Sequence, residues 1–157
     1  MELLIVRHAI AEPAAPGQQD FERPLSERGI ERFGQVVAAL DRIELRIDLL
    51  LHSPLVRAVQ TAELMAPLLV GAREETDLLA MPPSRQLLEG LDAERTALVG
   101  HEPWMSDLFC LLLTGNTDHA DRFAMKKGAV AWLSGEAEPA GMNLVAHLPP
   151  RVLTPFA

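Results

Sequence analysis

Arg7 and His8 directly follow the apolar run Leu3-Leu4-Ile5-Val6 at the start of the chain. A guanidinium offers a planar fork of donors that matches phosphate oxygens, and a neutral imidazole can act as a nucleophile. The same grammar recurs twice. Leu49-Leu50-Leu51 runs into His52-Ser53-Pro54 and then Arg57, and Ala97-Leu98-Val99 runs into Gly100-His101-Glu102-Pro103. Strands that end this way deliver such residues to the carboxyl edge of a sheet, where open α/β folds bind ligands. Arg7, His8, Arg57 and His101 on one rim suit a phosphoryl group and a histidine that attacks it.

The elements that would carry these residues alternate along the chain. Strands are expected over Leu3 to Val6, Asp48 to Leu51 and Thr96 to Val99, with a weak one over Arg73 to Thr76. Ala9 to Pro24 reads as a loop broken by Pro13, Pro16, Gly17 and Pro24. Ser26 caps a helix whose Ile30, Phe33, Val37 and Leu40 recur at helical spacing. Ser53-Pro54 reads as an N-cap and first helical position, opening a helix to about Leu69 with Arg57 one turn inside. A short helix follows around Arg85 to Leu91, and Pro103 opens another that carries Trp104, Leu108, Leu111 and Leu112. Two late strands, Gly128 to Leu133 and Asn143 to His147, precede an irregular tail from about Pro149. The expectation is one domain over 1–157, a three-layer α/β/α arrangement with a mostly parallel central sheet.

Composition narrows the function classes. A length of 157 residues allows a sizeable core. A net charge of −8 argues against nonspecific binding to nucleic acid or to an anionic membrane surface. It also makes two arginines gathered at one rim more telling, because packed like charges call for a counterion. No stretch approaches the roughly 20 apolar residues of a membrane helix, and the start of the chain lacks a secretory pattern, so a cytoplasmic location is expected. The single cysteine, Cys110, excludes an internal disulfide and a cysteine-based zinc cluster; a buried place on its helix is expected for it.

Four ordered motifs carry a family resemblance. Arg7-His8-Ala9 resembles the Arg-His-Gly signature of the histidine phosphatase (phosphoglycerate mutase-like) superfamily. Ser53-Pro54-Leu55-Val56-Arg57-Ala58-Val59-Gln60-Thr61-Ala62 resembles its second motif, and Val99-Gly100-His101-Glu102-Pro103 its third. Arg23-Pro24-Leu25-Ser26-Glu27-Arg28-Gly29 is similar to a segment of the short SixA-type phosphohistidine phosphatases. The resemblance spans residues 1 to about 134. It implies a phosphoglycerate mutase-like fold and a phosphatase that works through a covalent phosphohistidine, with no metal or other cofactor. His8 would be the nucleophile, and Arg7, Arg57 and His101 would hold the phosphoryl oxygens. His101 would carry a proton when a phosphate dianion is present.

Ala9 departs from the usual glycine, which a backbone at negative φ tolerates. The chain is also short between the second and third motifs, where larger members insert an acid. Glu89 lies in that shortened region and Glu102 directly follows His101; Glu102 is the candidate proton donor, with a capping or surface carboxylate at the helix start as its alternative. Phosphohistidine on a protein, such as a phosphotransfer domain, is the expected substrate. The rivals are a small-molecule phosphomonoester and a non-catalytic phospholigand-binding role. Arg23 and Arg28 read either as loop ion pairs or as part of the pocket mouth. Lys126-Lys127-Gly128 reads as a solvated turn from which one lysine can line the anion pocket. His52 is expected to pack at its strand end, and His119 and His147 to face solvent.

Overall fold

The structure, a computed structural model, describes residues 1–156; Ala157, the last residue of the expected domain and tail, lies outside the described residues. Strand β1 (Glu2–Arg7) is apolar on both faces and buried throughout its centre. It lies inside a six-stranded sheet with β2 (Ile47–His52), β3 (Leu69–Glu75), β4 (Arg95–Gly100), β5 (Val130–Gly135) and β6 (Met142–Leu148). The order is β3-β2-β4-β1-β5-β6. The first four run parallel, while β5 and β6 pair antiparallel at one side. A continuous apolar run suits a strand covered on both faces, and that is its situation here.

Side-chain alternation assigns the two faces. Leu4 and Val6 pack with Phe33, Val36 and Leu40 of α1 (Glu27–Arg42) and with Ala58 and Ala62 of α2 (Val56–Leu64). Leu3 and Ile5 point the other way, toward Leu87 of α3 (Arg85–Glu89) and Leu108, Phe109 and Leu112 of α4 (Trp104–Thr114). Each such aliphatic side chain contributes roughly 2 kcal/mol by leaving water. The result is the expected three-layer α/β/α fold with a mostly parallel sheet.

Several boundaries differ from the sequence expectation for identifiable reasons. The helix expected from Ser53 to about Leu69 spans only Val56–Leu64, with Leu55 as its N-cap. Ser53 instead forms a tight turn whose Oγ accepts from the Leu55 N–H at 3.3 Å. At the other end Pro67 sits in a separate 3-10 turn, Ala66–Leu68, because it lacks the N–H that a continuing helix needs. β3 is longer than expected and exposed along nearly all of its length, so its polar Arg73-Glu74-Glu75 end carries no hydrophobic pattern. Ile30 is 43% exposed; Gly29, one residue earlier, takes the buried position on α1. A methyl at Gly29 would stand 2.0 Å from the Ile10 carbonyl oxygen, so this helix start approaches the loop after β1 as only glycine permits. Finally, the tail is ordered. Pro150–Leu153 forms α5, a 3-10 turn follows over Thr154–Phe156, and Leu153 is buried in the cluster that includes α1.

Candidate active site

The parallel register brings the motif residues together. Arg7 at the end of β1 pairs with Gly100 at the end of β4, and His52 of β2 pairs with Val99. The next residues, His8, His101 and Ser53, therefore leave three adjacent strand ends side by side. The His8 N–H donates to the Gly100 carbonyl at 3.0 Å and the Ser53 N–H to that of Val99 at 3.0 Å. The two imidazole centroids are 5.1 Å apart.

His8 is 6% exposed, and its Nδ1 donates to the carbonyl of Ala9 at 2.7 Å. A carbonyl can only accept, so the hydrogen is on Nδ1 and the lone pair on Nε2. Burial lowers the His8 pKa to about 3, opposed by the Ala9 hydrogen bond and assisted by the cationic neighbours Arg57 and Arg7. The ring is neutral at physiological pH, as a nucleophile requires. Thr61 holds this arrangement from α2: its hydroxyl accepts from the Ala9 N–H at 3.0 Å and donates to the Arg57 carbonyl at 2.6 Å.

His101 contacts Ser53 Oγ through Nε2 at 2.7 Å. Burial, and then the Arg57 charge, lower its pKa to about 4, while Asp20 acts in the opposite direction. Among the described residues three buried side-chain polar atoms have no hydrogen-bond partner, and two of them are His101 Nδ1 and Arg7 Nε. Buried polar atoms without a partner are uncommon; an oxyanion suits Arg7 Nε, and it suits His101 Nδ1 once that nitrogen carries a hydrogen. The Arg7 guanidinium is aimed by a 2.5 Å bond from Nη1 to the Met125 carbonyl.

Arg57 lies near the start of α2 and is 7% exposed. Its Nη1 donates to the Asp20 carbonyl at 2.7 Å and its Nη2 to the Asp20 carboxylate at 2.9 Å. Asp20 also pairs with Arg23 at 2.8 Å, and Arg23 donates through Nε to the Glu12 carbonyl at 2.8 Å. The bonds from Arg23 and Arg57 hold the Asp20 carboxyl below its usual range. Arg23 thus braces the loop, while Arg28 is exposed on α1.

Sequence reasoning did not single out Asp20, Gln60 or Thr61. Gln60 anchors the loop from α2, its amide oxygen accepting from the Leu25 N–H at 2.7 Å. The signal for Asp20 was faint: an acid three residues before Arg23 in a loop. Nothing in the chain shows that this loop folds over Arg57, 37 residues away.

Glu102 accepts three hydrogen bonds from two residues. Its Oε2 accepts from the Ser106 hydroxyl at 2.5 Å and the Ser106 N–H at 3.3 Å, and its Oε1 accepts from the Met125 N–H at 2.9 Å. Met125 in turn carries the carbonyl that aims Arg7. These contacts match the capping alternative and make Glu102 a brace behind Arg7. His52 is buried at its strand end with Nδ1 3.0 Å from the Ser53 carbonyl. His119 and His147 are exposed, and Cys110 is buried in α4. Among the described residues no three His, Cys, Asp or Glu side chains group as metal ligands.

The lowered histidine pKa values give stability a pH dependence with a definite sign. Unfolded, both imidazoles take up a proton near pH 6.5; folded, they resist until about 3 and about 4. The unfolded chain therefore binds more protons in this window, so stability is full above pH 6.5 and falls as pH drops through it. Denaturant midpoints between neutrality and about pH 5 should decline, and decline less in His8→Asn and His101→Asn. Equal slopes in wild type and variants would contradict the assigned burial effect.

Comparison with known proteins agrees with this geometry. The sequence profile of the histidine phosphatase superfamily (branch 1) matches residues 3–79. An uncharacterized protein of Picosynechococcus is 32% identical over 146 residues, 87% of each chain. A structure of the protein histidine phosphatase SixA complexed with tungstate superposes with a TM-score of 0.78 at 22% identity, covering 96% of this chain and 98% of that one. The putative phosphohistidine phosphatase SixA from Agrobacterium tumefaciens gives 0.74 at 26% identity, with 95% and 97% covered. The motif order, the sheet that carries it and these likenesses agree: the chain belongs to the histidine phosphatase superfamily.

Proposed function

We propose that this phosphatase hydrolyses phosphohistidine on a protein, by double displacement through His8 and without a metal. His8 Nε2 attacks phosphorus while the bond from phosphorus to the leaving imidazole nitrogen breaks; that nitrogen takes its proton from water. Water then attacks the phosphorus on His8, the P–N bond breaks, and inorganic phosphate leaves with His8 regenerated. Arg7, Arg57 and a His101 protonated by the arriving dianion hold the equatorial oxygens, where transition-state charge accumulates. Three cationic donors can supply the stabilisation that a metal supplies elsewhere.

The observation that carries the substrate class is the engagement of the carboxylates. Glu102 is bonded to Ser106 and Met125, and Asp20 to Arg57 and Arg23. Neither is free to protonate a leaving group. A leaving imidazole is readily protonated by solvent, whereas an alkoxide needs an acid in place. Rates should therefore fall steeply as the leaving group becomes more basic, with phosphohistidine and aryl phosphates ahead of alkyl phosphates, and activity should survive a chelator. Glu102→Gln, as a weakened brace, should slow aryl and alkyl phosphates alike. A flat wild-type dependence that turns steep in Glu102→Gln would make Glu102 a proton donor and overturn the reading. Loss of activity in chelator would overturn its metal independence.

A further inference from the structure

The protein is acidic overall, with a net charge of −8, yet its cations are unevenly spent. Of 14 Lys and Arg side chains, Arg23, Arg46, Arg57, Arg73, Arg85 and Arg95 pair with carboxylates. Eight have no such partner among the described residues, and six of these line two cavities that share Arg32 and Arg151, one of them bordered by Arg7. Arg7, Arg32, Lys126, Lys127 and Arg151 edge a groove of about 790 Å³ that has no acidic residue in its wall. Arg32 and Arg151 also border a smaller cavity of about 340 Å³, where Arg28 joins them together with Glu31.

The larger groove is fixed to the nucleophile by the backbone. Gly128, just after the two lysines, donates its N–H to the carbonyls of Arg7 and His8 at 3.0 Å each. Its φ of 76° keeps this turn tight against β1. The floor contains Ile10, Pro149 and Pro150, so the groove joins apolar contact to positive edges. Clustered like charges in an acidic protein repel one another, and an anionic occupant relieves that repulsion. Six cationic side chains spread over two cavities that share Arg32 and Arg151 suit several negative charges better than one point anion.

We propose that this groove binds an acidic polypeptide segment that flanks the phosphorylated residue of the protein substrate. Carboxylates of the segment meet Lys126, Lys127 and Arg32 while the phosphoryl group meets His8. The assignment rests on the reading of the substrate as phosphohistidine on a protein.

The test compares two phosphohistidine peptides, one flanked by Asp and Glu and one by Ser and Gln, on wild type, Lys126→Ala/Lys127→Ala and Arg32→Ala. Wild type should favour the acidic peptide in kcat/KM by about tenfold at low salt, and the preference should shrink as salt screens it. Both variants should bring the ratio toward one. Absence of a preference, or a preference unchanged in the variants, overturns the proposal. If neither peptide is turned over while an aryl phosphate is, the phosphohistidine reading fails by itself. The groove is then judged by inhibition of aryl phosphate hydrolysis. Inhibition by the unphosphorylated acidic peptide that is lost in the double lysine variant supports the groove as an acidic-segment site. No inhibition overturns it, as does inhibition through the same lysines by a small alkyl bisphosphonate alone.

Discussion

His8→Ala is expected to abolish turnover, by on the order of 10⁴-fold or more, while the fold stands. The residue is the one imidazole of the site whose tautomer is fixed with a free Nε2, through the bond from Nδ1 to the Ala9 carbonyl. Its removal takes away the atom that would bond to phosphorus, and the neighbours are poor substitutes: Arg7 and Arg57 are cations, and a His101 protonated by the arriving dianion has no lone pair to offer. The ring sits at the carboxyl rim of β1, beyond the Leu3 to Val6 core, so its loss leaves both hydrophobic clusters complete. Circular dichroism and a melting curve separate loss of chemistry from loss of fold. A folded His8→Ala protein with wild-type rates would place the nucleophile elsewhere.

Arg57→Lys should lower turnover by about a hundredfold, roughly 3 kcal/mol of transition-state stabilisation, although it preserves charge. The guanidinium already spans the Asp20 carbonyl and carboxylate with two different nitrogens. That anchoring fixes the guanidinium plane and leaves a second hydrogen on each terminal nitrogen for an anion, whereas a single ammonium held by Asp20 has no such fork. Steady-state rates with an aryl phosphate measure the effect. Near-normal rates in Arg57→Lys would reduce Arg57 to an electrostatic neighbour.

The gathering of the rim side chains was legible in the sequence because they sit on strand ends. Arg7-His8, His52-Ser53 and Gly100-His101 each follow a short apolar run, and a parallel register leaves little freedom in how such ends meet. Ser26 announced the start of α1 and caps it as expected, its Oγ accepting from Gly29. What escaped the sequence is held by contacts between distant loops. The Asp20 to Arg57 pair, the Thr61 link to Ala9 and the Glu102 link to Met125 all join segments with no shared periodicity. β3 was faint because its exposed face is polar. The ordered tail was missed although Pro150 stands in the first turn of its helix, where a proline is well placed.

The central claim is that a phosphoryl group passes through His8, and trapping it is the most direct measurement. Wild-type enzyme mixed with a labelled aryl phosphate, quenched at alkaline pH and digested, should carry label on the peptide that contains His8. That label should be lost on mild acid treatment, as a phosphoramidate requires, and should not form in His8→Ala. Acid-stable label on another residue would contradict the account, as would turnover with no labelled peptide at any time point.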